Sequence, residues 1–444
     1  MLWHIVKYHM CLVIAVFFKR IQIKNPQYMR VKGPVIIAMN HPNAFMDPIA
    51  FTTIIYPPRV RYLARGDAFK KGIVTSILQS LGIIPIFRIQ DGGKEGLKKN
   101  DETYDLVNSL LKRNQKIIIF AEGICIQERR LRPLKKGVPR MVFGAMEEYQ
   151  LEDLTVVPVG MNYSNPSQFQ GNLFCNIGAP IKVSDYMEAY KAAPAKTMNQ
   201  FLADLAPRMK ELIIHIDHKH TEALIADLEE VCRYDYFKRE KLNFKSPEHD
   251  FRFSTYIVNR INKAEETQAE KVAALAEKTK RYTSELNKQG IKDWLINPAN
   301  SSLLNYGVLS LRILLILVTL PIYIRGLLAS YVPYKLTYLL VKKKVRILEF
   351  KASFSMGFGA LIFLVYYILQ FFVAKALAPN YWWAVLVLGI SFITSLICLR
   401  LSPFRKKTLG IYRAIKLRSA KPALFETLSS QRKEIIADFE ALNS

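Results

Sequence analysis

The chain has 444 residues, 50% of them hydrophobic, and carries 63 Lys and Arg against 37 Asp and Glu, for a net charge of +26. That suffices for two or three domains with ample cores, and the cationic excess points to a polyanionic partner: nucleic acid, anionic lipid or a phosphorylated substrate. Nucleic acid is the weaker choice, because there is no zinc-ligand spacing and no nucleic-acid-binding signature, while five scattered cysteines exclude a disulfide framework and fit a reducing compartment.

Residues Met1 to Met10 lead into an apolar run from Cys11 to Phe18 that ends at Lys19-Arg20. The run is short for a span and no small-residue cleavage site follows it. An interfacial amphipathic helix is therefore expected rather than a signal peptide. From Gly33 to about Ile181, short β-branched runs alternate with helical stretches. The predicted strands are Val35–Met39, Val60–Ala64, Ile83–Phe87, Lys116–Phe120, Val156–Tyr163 and Phe174–Ile177; predicted helices include Asp101 to Arg113 and Gly137 to Glu148. This is the pattern of an α/β domain, whose ligands bind at strand ends.

The first predicted strand runs into Asn40-His41-Pro42-Asn43-Ala44-Phe45-Met46-Asp47. His41 and Asp47 stand at the wrong spacing for one helical face, so they meet only if the chain turns between them, and Pro42 and Asn43 are turn formers. Such a pair suits a histidine acting as general base with an aspartate fixing its tautomer. The stretch offers no Ser, Thr or Cys as nucleophile, so the attacking group then belongs to the substrate. The same letters also suit a histidine satisfied by local turn hydrogen bonds. Further on, Gly82 to Arg88 is a strand delivering a cation at its end. Phe120-Ala121-Glu122-Gly123 closes another, and Arg129, Arg130, Arg132, Lys135 and Lys136 follow it. Gly123 permits a tight turn. The cations are dense enough to hold a phosphate, or form a solvated basic loop.

Taken together these stretches resemble the glycerolipid acyltransferases of the glycerol-3-phosphate and lysophosphatidate type. The His41/Asp47 stretch resembles the family's first motif, with five intervening residues where four are usual. Gly82 to Arg88 resembles the second, whose terminal arginine, here Arg88, contacts the acceptor's phosphate. The third keeps Phe120, Glu122 and Gly123 and ends in Leu134-Lys135-Lys136-Gly137. It has Ile124-Cys125-Ile126 in place of Thr-Arg-Ser, so that Arg129, Arg130 or Lys135 stands in for the missing phosphate-binding arginine. Thr155 to Gly160, with Pro158, resembles the fourth motif, which lines the acyl side. The likeness covers about residues 30 to 180. It implies acyl transfer from a thioester, acyl-CoA or acyl carrier protein, to a hydroxyl of glycerol-3-phosphate or its 1-acyl derivative. His41 is the base, Asp47 its orienting partner, Arg88, Glu122, Gly123 and the nearby cations position the acceptor, and no metal or cofactor takes part. The longer His–Asp loop and the extended C-terminal half lean towards the unacylated acceptor.

Residues 183 to 297 read as charged helices, at Asn199 to His220, Thr221 to Tyr234 and Ala264 to Gln289, with a break expected at Glu248 to Tyr256. His215, His218 and His220 raise a metal site, but their spacing does not put all three on one helical face, so a solvated helix end is expected. Ala352 to Ala374 and Ala376 to Leu399 carry no charged residue and each suffices to cross a bilayer. Pro379-Asn380 places a turn between them and Tyr381-Trp382-Trp383 an aromatic anchor, giving a transmembrane hairpin at 352–399. The basic runs Lys342 to Arg346 and Arg405 to Lys407 place both outer ends in the cytoplasm. The run Ile313 to Ile324, with Pro321, is short and is expected to be re-entrant or interfacial.

The expected fold is α/β: a mixed sheet flanked by helices, with His41 and Asp47 at a strand-to-helix turn, then a helical region and the hairpin. The segments are an interfacial helix at 1–29, the α/β domain at 30–182, charged helices at 183–300, a membrane region at 301–402 and a cytoplasmic tail at 403–444. The expected function is a membrane-bound glycerol-phosphate O-acyltransferase with its catalytic domain on the cytoplasmic face. Its partners are membrane lipids, the acceptor and the thioester donor, with no nucleic acid. Two alternatives use the same features: a non-catalytic, membrane-tethered scaffold that binds anionic lipid, and a thiol hydrolase pairing Cys125 with His41.

Overall fold

The computed structural model describes residues 2–54, 60–66, 82–87, 102–151, 153–377 and 380–442. They form two compact units. The first comprises Met1–His215, Ser246–Phe251 and Val345–Met356; the second comprises Ile216–Lys245, Arg252–Lys344 and Gly357–Ser444.

The first unit begins with helix α1 (Leu2–Phe17) and strand β1 (Arg20–Lys24), followed by β2 (Val35–Met39), α2 (Met46–Ile54), β3 (Val60–Arg65) and β4 (Ile83–Ile86). Helix α3 (102–112) precedes β5 (Lys116–Phe120). Then come α4 (Gly137–Tyr149), β6 (Thr155–Tyr163), β7 (Asn172–Ile177), β8 (Ile181–Lys182), α5 (Met187–Ala192) and α6 (Pro194–Lys210). The strands make one mixed sheet in the order β1-β7-β6-β2-β5-β3-β4, with β8 also paired to β6. β2 runs parallel to both neighbours, Ile37 lying opposite Ile118 of β5 and Val157 of β6. β7 and β8 run antiparallel to β6.

An uninterrupted apolar strand is what a sheet covered on both faces requires, and every residue of β2 is buried. Alternate side chains serve opposite layers. Ile36 and Ala38 join a core built from Val107, Leu111, Met141, Val142, Phe201 and Leu205 on α3, α4 and α6. Val35, Ile37 and Met39 join another, with Ile14 and Phe17 of α1, Met46 and Phe51 of α2, and Ala352 and Met356. α1 thus docks on the sheet by one side and leaves Tyr8 and Leu12 exposed.

Some elements differ from expectation. β1 lies within the segment read as purely interfacial and pairs in parallel with β7; its half-buried Arg-Ile-Gln-Ile-Lys sequence hid it. Helix α6 ends at Lys210, well short of His220, because the next residues leave the helix to dock on β6. Asn162 donates to the Leu212 carbonyl at 2.9 Å and accepts from the Ile214 N–H at 3.2 Å. Gly160 allows that approach, since a Cβ there would stand 2.2 Å from the Leu212 carbonyl oxygen.

The second unit is helical: α7 (Glu222–Arg239), most of α8 (Pro247–Thr267), α9 (Ala269–Gln289), α10 (Tyr306–Lys344), α11 (Leu348–Leu377) from Gly357 onward, α12 (Tyr381–Ala420) and α13 (Pro422–Ala441). The break expected at Glu248 to Tyr256 is instead the beginning of α8. Pro247 opens that helix, the Ser246 hydroxyl accepts from the His249 N–H at 3.3 Å, and Glu248 and Asp250 occupy the first turn. These are helix-start signals, which a run containing Pro disguises as a stop. The short re-entrant segment expected at Ile313 to Ile324 is part of the unbroken 39-residue α10. α10, α11 and α12 are each long and apolar enough to cross a membrane. α10 and α12 touch closely where Gly326 lies against Thr394, with room for no Cβ.

Candidate active site

At the end of β2 the Asn40 side chain continues the ladder, accepting from the Met161 N–H at 2.7 Å and donating to the Met161 carbonyl at 3.2 Å. The chain then turns and enters α2 one residue before Asp47. The turn brings His41 Nδ1 to 2.9 Å from Asp47 Oδ2. Asp47 is fully buried, whereas the His41 side chain keeps 16% exposure. The Asn43 N–H donates to Asp47 Oδ2 at 2.8 Å, and the Tyr163 hydroxyl to Oδ1 at 2.6 Å. Burial, and then the Asp47 carboxylate, hold the Tyr163 hydroxyl protonated well above the usual phenol range, so it remains a donor. With both carboxylate oxygens fixed as acceptors, His41 carries its proton on Nδ1 and leaves Nε2 as the basic atom. The imidazole lies flat on Phe120, ring centroids 3.6 Å apart.

The turn between His41 and Asp47 carries both strain and a brace. Ala44 takes a φ of 37°, a region L residues rarely occupy, and its N–H donates to Cys125 Sγ at 3.0 Å. Cys125, at the position where the sequence departs from the family motif, thus supports the turn. Burial, followed by the nearby Asp47 carboxylate, pushes its thiol up to about 12. A thiol so protonated at neutral pH is a poor nucleophile, which counts against the thiol-hydrolase reading.

Glu122 was implied, by the likeness of its motif, to help position the acceptor. Both its carboxylate oxygens instead bind backbone: Oε1 accepts from the His41 N–H at 3.1 Å and Oε2 from the Arg132 N–H at 3.0 Å. Burial pushes this carboxyl up, and the two N–H groups pull it back. Its work is to tie the β5 turn to the β2 turn. Gly123 has a φ of 68°, and a Cβ there would come within 3.0 Å of Lys135 Cγ. Of the cations, Arg129 and Arg130 are half-buried, Lys135 is exposed, and Arg132 pairs with Glu128 at 2.7 Å. Arg88 lies outside the described residues. Pro158, expected on the acyl side, is buried in β6 with its ring against Gly178. Its carbonyl accepts from the Gly178 N–H at 2.9 Å. A residue's N and O point to the same side of a strand, so the missing N–H faces this connection and β2 loses no partner.

Two contributors were invisible in the sequence. His215 Nδ1 accepts from the Leu131 N–H at 2.8 Å and so holds the basic loop, its neighbours being docked on β6. Ser353, at the start of α11, accepts from the Met46 N–H at 2.9 Å and donates to the Asn43 carbonyl at 3.2 Å. It therefore closes the turn between His41 and Asp47 from 310 residues away in the chain. Glu349 joins it by accepting from the Gln127 N–H at 3.3 Å. No local pattern marks either residue. Ser353→Ala removes both hydrogen bonds and should lower kcat about 30-fold with the acceptor KM unchanged, the rate equivalent of ~2 kcal/mol lost from the turn. Steady-state kinetics of the purified variant check this.

The three histidines do different things. His215 braces the loop, and His220 Nε2 lies 2.8 Å from Glu265 Oε1 while its ring neighbours His218. Among the described residues no group of three His, Cys, Asp or Glu side chains is placed to hold a metal ion.

Residues 20–162 match the family model described as Acyltransferase. Two proteins of Saccharomyces cerevisiae are similar to part of the chain. Glycerol-3-phosphate O-acyltransferase 1 is 36% identical over 80 residues, 18% of this chain and 10% of that protein. Glycerol-3-phosphate O-acyltransferase 2 is 33% identical over 104 residues, 23% of this chain and 14% of that protein. The chain thus spans a small part of either relative's length. The crystal structure of a 1-acyl-sn-glycerophosphate acyltransferase from Thermotoga maritima covers 47% of this chain and 79% of its own, at 13% identity and a TM-score of 0.34; so loose a likeness carries no further step. The stretch from residue 20 to residue 162, which holds β1, the His41–Asp47 turn, the Glu122 turn and nearly all of β6, is an acyltransferase-family domain.

Proposed function

We propose that the protein is a membrane-bound O-acyltransferase that moves a fatty acyl group from a thioester to a hydroxyl of glycerol-3-phosphate, in preference to its 1-acyl derivative. The observation that carries the reading is the His41–Asp47 contact, with Asp47 also accepting from the Asn43 N–H and the Tyr163 hydroxyl. His41 Nε2 takes the proton of the acceptor hydroxyl as its oxygen attacks the thioester carbonyl. The C–S bond then breaks, and the departing thiolate takes the proton from the imidazolium. Asp47 stabilises that cation between the two steps. The attacking oxygen is the substrate's own, so no acyl-enzyme forms.

Arg129, Arg130 and Lys135 position the acceptor's phosphate through charge-assisted hydrogen bonds, with Arg88 in the part its motif implies. Acyl-CoA or acyl carrier protein delivers the acyl group. α11 and α12 form a hairpin across the bilayer, and the cations at Lys342 to Arg346 and Arg405 to Lys407 keep its outer ends in the cytoplasm. The catalytic unit, which includes Val345–Met356 at the head of that hairpin, then lies on the cytoplasmic face.

An acyl-transfer assay of the full chain in detergent, with glycerol-3-phosphate and 1-acylglycerol-3-phosphate side by side, tests this. Product from glycerol-3-phosphate at the higher kcat/KM is expected. Absence of product from both would sink the assignment and favour the lipid-binding scaffold.

A further inference from the structure

Within the helical unit, a cavity of about 640 Å³ opens between the apolar helices α10, α11 and α12. Its walls are hydrocarbon, from side chains such as Leu369, Val373 and Val387, and Trp383 also lines it. Arg325, Tyr366, Gln370 and Ser391 bring polar groups into that lining. Arg325 sits near the middle of α10 and donates through Nη2 to the Ser391 hydroxyl at 2.8 Å. Ser391 is fully buried, and lies about 15 Å along α12 from Tyr381 at a rise of ~1.5 Å per residue. A guanidinium has five N–H donors, and among the described residues no carboxylate pairs with this one. The side-chain oxygen of Gln370 is buried and has no hydrogen-bond partner.

A cation among apolar helices is expensive unless something anionic meets it, and such residues mark binding sites by default. A buried amide oxygen without a donor is costly as well. One kind of occupant answers both and suits the apolar walls: a lipid with one acyl chain, an anionic head and a free hydroxyl. The volume lies in the range of sites for a single small ligand. The product of acylating glycerol phosphate once has these features: a phosphate for Arg325, a remaining hydroxyl for Gln370, and one chain for the walls.

We infer that this cavity binds a monoacyl glycerol phosphate, with the phosphate on Arg325 and the free hydroxyl on Gln370. The inference rests on the proposed acyltransferase reading and on α11 and α12 crossing a bilayer with α10 packed against them. It adds a lipid site, built from residues outside the family-matched stretch, that holds the product class of the proposed reaction.

The test uses the full chain carrying His41→Ala, so that ligand is neither made nor consumed, in nanodiscs of phosphatidylcholine. The probe is a photoactivatable 1-acylglycerol-3-phosphate, with the cross-link mapped by mass spectrometry. Labelling of α11 or α12 at the cavity is expected, falling at least tenfold with Arg325→Met or Gln370→Leu and staying within threefold with Arg325→Lys. Unchanged labelling in Arg325→Met overturns the site. Competition by oleate as effective as by unlabelled lysophosphatidate overturns the role given to the hydroxyl. Two controls separate this from the parent reading. Labelling retained in a protein that shows no acyl transfer with His41 restored defeats the enzymatic reading alone, and release of the protein by alkaline carbonate defeats the bilayer placement.

Discussion

Replacing Asp47 by Asn should cut kcat roughly 10²–10⁴-fold with little change in KM for either substrate. The substitution is a test of charge. Asn keeps the size of Asp, and its amide oxygen can take the place of Oδ2, still accepting from His41 Nδ1 and the Asn43 N–H, which stand at 2.9 and 2.8 Å. Its NH₂ then faces the Tyr163 hydroxyl, which turns from donor to acceptor. Tautomer and position survive, so what disappears is the anion that stabilises the imidazolium. Asp47→Ala, which also frees the imidazole to rotate, should lose at least as much. Tyr163→Phe leaves the charge in place and removes one hydrogen bond, so its loss should be nearer tenfold. A fall in kcat for Asp47→Asn of less than threefold would remove the carboxylate from the chemistry.

The second large effect concerns stability. Arg432 on α13 is 2% exposed and Asp293 likewise 2%. Arg432 Nε lies 3.1 Å from each oxygen of Asp293, and Nη2 binds the Val231 carbonyl at 2.9 Å and also Asp235. Tyr282 donates to Asp293 at 2.7 Å. One guanidinium therefore joins α13, α7 and the stretch after α9. Arg432→Leu leaves Asp293 buried without its cation and should destabilise the helical unit by about 3–5 kcal/mol at neutral pH.

The pH dependence has a definite sign. Burial already pushes the Asp293 carboxyl up to about 6 in spite of Arg432, and without the guanidinium it rises further. A carboxyl raised on folding contributes most below its unfolded value near ~4, and that contribution is lost as pH rises through the folded value. The penalty in Arg432→Leu should therefore shrink as pH is lowered from 7 towards 4. Adding Asp293→Asn should recover part of it at pH 7. Thermal unfolding of the detergent-solubilised chain across that range checks both statements. A penalty that grows on acidification contradicts them.

How far these features could be read from the letters depended on where each residue's partners lie. β2 and β5 were legible to the residue, because a central parallel strand must be apolar on both faces and Val35–Met39 and Lys116–Phe120 end at polar turns. β1 was not, because an edge strand with one neighbour needs no such run. α8 was misread from its own start signal. Its Pro247 and acidic first turn look like a break when the Ser246 cap is unknown. In the site, His41 and Asp47 stood out as a spacing. Tyr163 was placed in a strand but with no role, and Ser353 and His215 reach the site only through tertiary contacts spanning 310 and 84 residues. Glu122 was found but its two backbone partners were not, since composition cannot tell a carboxylate that meets substrate from one that binds two backbone N–H groups.

The most direct test of the proposed chemistry is the rate of acyl-CoA-dependent acylation of glycerol-3-phosphate by the wild-type chain and by His41→Gln, purified in parallel and matched by circular dichroism and melting temperature. If the imidazole is the base, the wild type turns over and His41→Gln falls by roughly 10²–10⁴-fold. Equal rates in the two proteins would contradict it.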